Sequence, residues 1–328
     1  MNFTGIVLKN LFNIPLMCFL LGISLSFTKK NFRLPAKVSS LITVFILFCI
    51  GLKAGSPLAE QFSSAAYLLS VILASLIAWA LLHPLISYFL LKSFTRIDSA
   101  TAAAVAASFA SVSVMTFITA ISFLDQGKIP YKNAIIASLA IMDIPAILSG
   151  IFIAKKFDNT LSSQSLSFAK VLKESLLNKA ILALIAGLTS GIILYNTGSV
   201  SVAEPILVFL KPMMCVFLFD MGVCVGMQKE SFRTFSWSLG MFGVYMPIIG
   251  GSFGIFLSYL LHLDVGTATL LAVLTSSASY IVVPAAMKIS LPQAKEAIYL
   301  PLSLGVAFPF NIAVGIPLYY YFAVKFLT

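Results

Sequence analysis

The chain has 328 residues, of which 60% are hydrophobic and 10% are charged, and its formal net charge is +10. Soluble domains carry about 25% charged residues, so this composition excludes a water-soluble globular protein, in agreement with the mean hydropathy of +1.03. The basic residues lie in short connections between apolar runs, which is typical of an orientation signal in a membrane protein. We therefore expect an all-α, multi-pass membrane protein with no nucleic-acid partner.

The apolar runs predict about ten transmembrane helices, because each span needs about 20 mostly apolar residues. The first run, "IPLMCFLLGISLSF", continues directly into "TKKNFR". It lacks a small-residue cleavage site and is interpreted as a retained span. In chain order, the predicted spans cover about 12–27, 38–54, 65–91, 98–126, 129–154, 172–196, 204–226, 235–261, 265–288 and 294–325.

One sizeable polar connection follows the fifth predicted span and divides the chain into two halves. We expect a first repeat over residues 1–156, a cytoplasmic connection over 157–171 and a second repeat over 172–328. Most lysines and arginines fall in alternate connections, starting with the one that holds Lys30 and Arg33. The positive-inside rule makes that side cytoplasmic. The sequence thus predicts an inner-membrane protein with both termini outside, on the periplasmic side.

An odd number of spans in each half makes the two halves enter the membrane in opposite directions, as in the inverted repeats of many secondary transporters. The fourth span begins "DSATAAAVAASFASVSV" and the ninth begins "DVGTATLLAVLTSSASY". Aligned without gaps, Asp98 meets Asp264 and Thr101 meets Thr267. A second alignment, of spans two and seven, pairs Gly51 with Gly222. The sequence therefore predicts a five-plus-five inverted repeat.

Hydroxyl side chains cluster deep inside both the fourth and the ninth span. A helix in lipid opens only where other groups satisfy its freed backbone groups, and serine or threonine hydroxyls provide such partners. Two interrupted helices would place N-terminal N–H groups at the centre of the membrane, where they attract a small anion. The alternative is that these small residues serve close helix packing. The predicted substrate-binding residues are Ser111, Ser113, Thr116, Ser276, Ser277 and Ser279.

Two acidic residues, Asp143 and Asp220, lie inside predicted spans. Charged groups in such positions are costly and usually functional. Each is predicted to bind a cation, to relay a proton or to pair with Lys53. The alternative is a structural carboxylate that caps broken backbone. Pro145 follows Asp143 closely and favours a local helix break there.

The sequence contains no Gly-rich phosphate loop, no H-E-x-x-H motif and no Ser-His-Asp candidate in a soluble domain. We therefore expect a protein that is not an enzyme and that carries no cofactor. An ion gradient is then the expected energy source.

Three segments resemble the cyanobacterial-type sodium-dependent bicarbonate transporter family: "LDQGKIPYKNAIIASLAIMDIPAIL" (124–148), "LAVLTSSASYIVVPA" (271–285) and "GVAFPFNIAVGIPL" (305–318). The resemblance extends along nearly the whole chain. It implies an inverted repeat with a gate half and a core half, and Na⁺–bicarbonate symport. It also implies a homotrimer and, in some members, regulation by a small cytoplasmic PII-like protein.

The family's binding motifs transfer only in part. Ser113 and Thr116 match the family's Ser-Gly-Ser-Thr run, but Val114 and Met115 replace its glycine and second serine. In span nine, Tyr280 stands where the family has the acid that would face Na⁺. Asp220, which has no counterpart in the family pattern, is a candidate to supply the missing charge. The leading hypothesis is Na⁺-dependent bicarbonate symport by alternating access. The alternatives are H⁺ coupling, another anion, or a membrane sensor that does not transport.

Overall fold

The computed structural model describes residues 5, 13–28, 32–140, 142–157, 179–227 and 235–328. These residues are 84% helical and contain no strand, so the predicted all-α class is confirmed. The predicted connection 157–171 lies outside the described residues, apart from Phe157.

The helices are numbered here in chain order, and shorter segments join several of them. A 3₁₀ segment, Asn133–Ala140, precedes α5, and π-helical turns at Ser303–Ala307 and Asn311–Gly315 lie between α11 and α12. The helices are α1 (Ile14–Ser26), α2 (Ala36–Phe94), α3 (Ser99–Phe109), α4 (Val114–Gly127), α5 (Asp143–Phe157), α6 (Lys179–Asn196), α7 (Leu210–Met227), α8 (Trp237–Leu260), α9 (Val265–Ser276), α10 (Val282–Ser290), α11 (Glu296–Leu302) and α12 (Ile316–Leu327).

Within the described ranges, six stretches are long and apolar enough to cross a membrane. They are Ala36–Glu60, Tyr67–Phe94, Ser99–Gly127, Val200–Met227, Trp237–Leu260 and Glu296–Leu327. Three further apolar helices, Ile14–Ser26, Ile181–Asn196 and Val265–Ser276, are shorter. The chain is thus a multi-pass membrane protein. The predicted span 129–154 is not one α-helix, because a 3₁₀ segment precedes α5.

The second and third predicted spans are the two ends of one continuous helix, α2. It has 59 residues and would be roughly 90 Å long if straight, about three times the hydrocarbon thickness of a bilayer. Both ends, Ala36–Glu60 and Tyr67–Phe94, qualify as spans by themselves. The sequence located the two spans correctly but predicted a connection where the backbone stays helical.

Two helical paths are interrupted inside the protein, as the hydroxyl clusters predict. The first break, residues 110–113, separates α3 from α4, and the second break, residues 277–281, separates α9 from α10. Ten of the eleven residues of α3 and eleven of the twelve residues of α9 are buried. The interrupted helices therefore lie at the centre of the molecule.

Matching side-chain caps begin α3 and α9. The carboxylate of Asp98 accepts from the backbone N–H of Thr101, and that of Asp264 accepts from the backbone N–H of Thr267, both at 2.8 Å. Each threonine hydroxyl donates to its own aspartate and accepts from a distant backbone N–H, that of Lys295 on Thr101 and that of Lys132 on Thr267. Two segments 166 positions apart thus begin their helices in the same way.

Small residues let two pairs of helices approach closely. A Cβ atom on Gly51 of α2 would overlap the carbonyl oxygen of Leu184 in α6, and a Cβ on Gly187 of α6 would overlap that of Phe48. In the same way, a Cβ on Gly22 of α1 or Gly222 of α7 would overlap a carbonyl of the other helix. The glycines of α2 and α7, aligned in the sequence, therefore serve the same packing function on different partners.

Gly51→Ala should lower the stability of the folded protein by about 1–3 kcal/mol, because backbone rather than a flexible side chain opposes the added methyl group. Thermal unfolding of the detergent-purified protein measures this change. Gly240→Ala is the matched control, since a Cβ at Gly240 of α8 meets no atom within 4 Å. Equal melting temperatures for the two variants would contradict the packing argument.

Candidate functional site

The two breaks contact each other directly. The backbone N–H of Ser279 donates to the carbonyl oxygen of Ser108 at 2.8 Å, and the backbone N–H of Ser113 donates to the hydroxyl oxygen of Ser277 at 3.0 Å. Groups freed by one interruption are therefore satisfied partly by the other.

A cavity of about 30 Å³ lies between the breaks. A cavity holds one water molecule from roughly 10–15 Å³ upwards, so this space is about the size of two to three water molecules. It is lined by Thr43, Leu47, Val112, Ser113, Val114, Met115, Ser279, Tyr280, Ile281 and Val282. We refer to it as the central cavity.

The first residues of α4 and α10 contribute to the lining of the central cavity. The first N–H groups of a helix have no partner within that helix, and together they carry roughly half a positive charge. In α4, the hydroxyl of Ser113 accepts from the N–H of Thr116 at 3.3 Å, and in α10 the hydroxyl of Ser279 accepts from the N–H of Val283 at 3.3 Å. The N–H groups of Val114 and Val282 come earlier in the two helices than these capped groups, and both residues line the central cavity.

The predicted substrate-binding residues divide into two groups. Ser113 and Ser279 line the central cavity, and Ser277 bonds the backbone of Ser113. The hydroxyl of Thr116 donates to that of Ser113 at 2.9 Å, and the hydroxyl of Ser276 donates back to the carbonyl of Val273 at 3.3 Å. Thr116 and Ser276 thus bond to other protein groups and do not belong to the lining of the central cavity.

Ser111, the sixth predicted residue, joins the first break to Asp143. Its hydroxyl donates a hydrogen bond to the Asp143 carboxylate. Asp143 is the first residue of α5 and is 4% exposed, which confirms the helix break predicted there. The structure therefore places one predicted cation ligand at the first break.

Asp220 lies on α7, where its carboxylate accepts from the backbone N–H of Leu34 at 2.8 Å. Lys53 forms its ion pair with Asp125 at 2.9 Å and also donates to the hydroxyl of Tyr131 at 3.2 Å. The suggested pairing of Lys53 with Asp143 or Asp220 is wrong. Asp125 and Tyr131 lie at the end of α4 and just beyond it, next to Lys53.

Two side chains that the sequence did not single out occupy the carbonyl end of α9. The indole N–H of Trp79 donates to the carbonyl of Thr275 at 3.2 Å, and the amide of Asn311 donates to the carbonyl of Ser276 at 3.0 Å. Each of these two carbonyls therefore already has a donor. The one sequence signal was Asn311, an amide within an apolar run.

Tyr280 is 7% exposed, and its hydroxyl lies near the side chain of Ser113 without forming a hydrogen bond of normal geometry to any described residue. The ring packs edge-on against Phe308, with centroids 5.4 Å apart. Tyr280 lines the central cavity and a second, larger cavity. It is therefore one of the side chains at which the two spaces meet.

The larger cavity, which we name the vestibule, has a volume of about 650 Å³ and shares Thr43, Tyr280 and Ile281 with the central cavity. Its charged lining residues are Arg33 and Lys179, and the Asp220 carboxylate interacts with Cys224, another lining residue. A cavity with an excess of one sign of charge concentrates ions of the opposite sign. With two basic side chains against one neighbouring carboxylate, the vestibule is suited to small anions.

No curated protein matches the chain. A family model described as the Na⁺-dependent bicarbonate transporter superfamily matches residues 15–324, nearly the whole length. Membership of a transporter family also means that the protein is not an enzyme, as its sequence predicts. The interrupted, crossing helices and the basic vestibule are consistent with this assignment. The chain belongs to the Na⁺-dependent bicarbonate transporter superfamily.

Proposed function

We propose that this protein is a Na⁺-coupled symporter of a small anion, with bicarbonate as the leading candidate. The observation that carries the proposal is the meeting of two helix N-termini, those of α4 and α10, at one buried cavity. Such termini bind anions through backbone N–H groups and the helix dipole. The vestibule shares three lining residues with that cavity and would give the anion access to it from one side of the membrane.

Alternating access requires two bodies that move past a fixed site, and an inverted repeat provides them. Three features support such a repeat over residues 1–156 and 172–328: the matched caps of Asp98 and Asp264, the crossed breaks, and the equivalent packing of α2 on α6 and of α7 on α1. We infer about ten membrane crossings in five-plus-five order.

Between the two predicted cation ligands, the contacts favour Asp143. Its carboxylate bonds Ser111 within the first break, so a cation bound there would lie close to an anion in the central cavity. Asp220 instead holds the chain before α2 through the N–H of Leu34. We propose that Asp143 binds the coupling cation and that Asp220 fixes the wall of the vestibule.

The test of the function is uptake of labelled bicarbonate into proteoliposomes, with and without an inward Na⁺ gradient. Uptake that follows the Na⁺ gradient supports symport. Uptake driven by a pH gradient alone would support H⁺ coupling instead. Thermal stabilisation by bicarbonate without any flux would support a sensor that does not transport.

Asp220→Asn should leave the Na⁺ dependence of uptake within about twofold of wild type, because an amide oxygen still accepts from the N–H of Leu34. The measurement is the Na⁺ concentration that gives half-maximal uptake. Loss of Na⁺ dependence in this variant would show that Asp220, and not Asp143, is the cation ligand.

Several expectations drawn from the sequence stay predictions. The inner-membrane location with both termini outside rests on the distribution of lysine and arginine. Arg33 and Lys179 are on the side predicted to be cytoplasmic, so the vestibule would open inward. The homotrimer and the PII-like regulator rest on the family resemblance alone.

A further inference from the structure

Tyr280 raises a question that the anion site does not answer, because its buried hydroxyl makes no hydrogen bond of normal geometry within the part of the chain that the structure describes, although the Ser113 side chain lies near it. A buried hydroxyl that makes no hydrogen bond destabilises a protein, so such groups in native structures call for an explanation. Tyr280 lies in the second break, at the boundary between the central cavity and the vestibule. The missing partner is therefore to be sought in that space.

The chemistry of the central cavity identifies the class of that partner. Its described lining contains hydroxyls, apolar side chains and the N-termini of two helices, and no carboxylate. A cation at the cavity would meet the positive ends of both helix dipoles. An anion would meet N–H groups from two directions, and an oxygen acceptor on that anion would satisfy the phenol.

The geometry of the ring restricts where the hydroxyl can point. Tyr280 packs edge-on against Phe308, and Phe308 packs edge-on against Phe19, with 5.4 Å between ring centroids in both contacts. Phe19 and Phe308 are each 1% exposed. Because Phe308 and Phe19 are buried and packed, they hold the Tyr280 hydroxyl in one position. Less conformational entropy is then lost when the hydroxyl binds a ligand.

We propose that the Tyr280 hydroxyl donates a hydrogen bond to the transported anion in the central cavity and selects for anions that carry an oxygen acceptor. This inference rests on the proposed function. It assigns Tyr280 to the anion and not to Na⁺, because a neutral phenol offers a proton to an anion but no charge to a cation. The coupling cation is then left to other residues.

The test is the Tyr280→Phe variant, assayed for bicarbonate uptake in proteoliposomes and for thermal unfolding. Loss of a hydrogen bond to a charged ligand should raise the KM for bicarbonate about tenfold or more. The KM for Na⁺ should stay within about twofold of wild type, which a general structural effect would not produce. Without bicarbonate, the melting temperature should be unchanged or higher, because the variant no longer buries an unsatisfied hydroxyl.

Tyr245→Phe is the matched control. Tyr245 on α8 also has a buried hydroxyl without a described partner, and it belongs to the lining of neither cavity. A wild-type bicarbonate KM in Tyr280→Phe, or an equal change in both variants, would overturn the assignment while leaving the transport proposal standing. Absence of any bicarbonate response in the wild-type protein would overturn both.

Discussion

Asp143→Asn should reduce Na⁺-dependent bicarbonate uptake about a hundredfold. The variant keeps an oxygen that accepts from Ser111 but removes the negative charge at the first break. Two unit charges about 4 Å apart interact by roughly 4 kcal/mol at the intermediate dielectric typical of protein sites. Losing a large part of this energy would weaken binding of the coupling cation by two orders of magnitude.

The measurement is the initial rate of uptake as a function of Na⁺ concentration. Asp264→Asn is the control, because it neutralises a carboxylate at the start of α9 while asparagine caps helices as well as aspartate does. Its Na⁺ dependence should match wild type. Full Na⁺-dependent uptake in Asp143→Asn would remove Asp143 from the cation site and leave it as a structural partner of Ser111.

Val114→Pro should lower the apparent affinity for bicarbonate between about tenfold and a hundredfold, because it removes one N–H group from the anion site. A hydrogen bond to a charged group contributes about 1.5–3 kcal/mol. Val114 is the first residue of α4, a position at which proline fits the helix. Ser113 before it has an extended backbone, with φ −90° and ψ 105°, as a residue preceding proline prefers.

Val265→Pro repeats this substitution at the first position of α9, where the preceding Asp264 is also extended, with φ −67° and ψ 158°. Val265 lies outside the lining of both cavities. Bicarbonate-dependent thermal stabilisation should be lost in Val114→Pro and retained in Val265→Pro. Equal stabilisation of both variants would mean that the N-terminus of α4 does not bind the anion.

The interruptions were predictable from the sequence because a helix that opens in lipid needs polar side chains to satisfy its freed backbone groups. The hydroxyl residues near Ser113 and Ser277 are suited to be such partners, with close helix packing as the alternative explanation. The matched starts at Asp98 and Asp264 were also readable, since an N-cap depends on a residue type at a fixed spacing. Local chemistry of this kind needs no tertiary structure.

Contacts between distant elements were not predictable in the same way. Lys53 was expected to approach Asp143 or Asp220, and it pairs with Asp125 because α2 passes the end of α4. The donors on the α9 carbonyls, Trp79 and Asn311, come from two other parts of the chain. Residue type indicated that partners were needed, but only the packing of helices determined which side chains supply them.

The continuity of α2 is another feature in which the structure differs from the prediction. A connection was expected between the predicted spans 38–54 and 65–91, yet the helix continues through Pro57 to Phe94. Tertiary packing routinely overrides such local signals. The wrong connection in α2 did not affect the prediction of the candidate site, because the predicted site residues come from the two breaks and their neighbours.

The central claim is that an anion binds between the N-termini of α4 and α10. The most direct test is a pair of cryo-electron microscopy maps of the purified protein, one in sodium bicarbonate and one in sodium gluconate. The account predicts additional density in the central cavity, between Ser113, Ser279 and the Tyr280 hydroxyl, in the bicarbonate map alone. Identical density in that cavity in both maps, or bicarbonate bound away from both breaks, would contradict it.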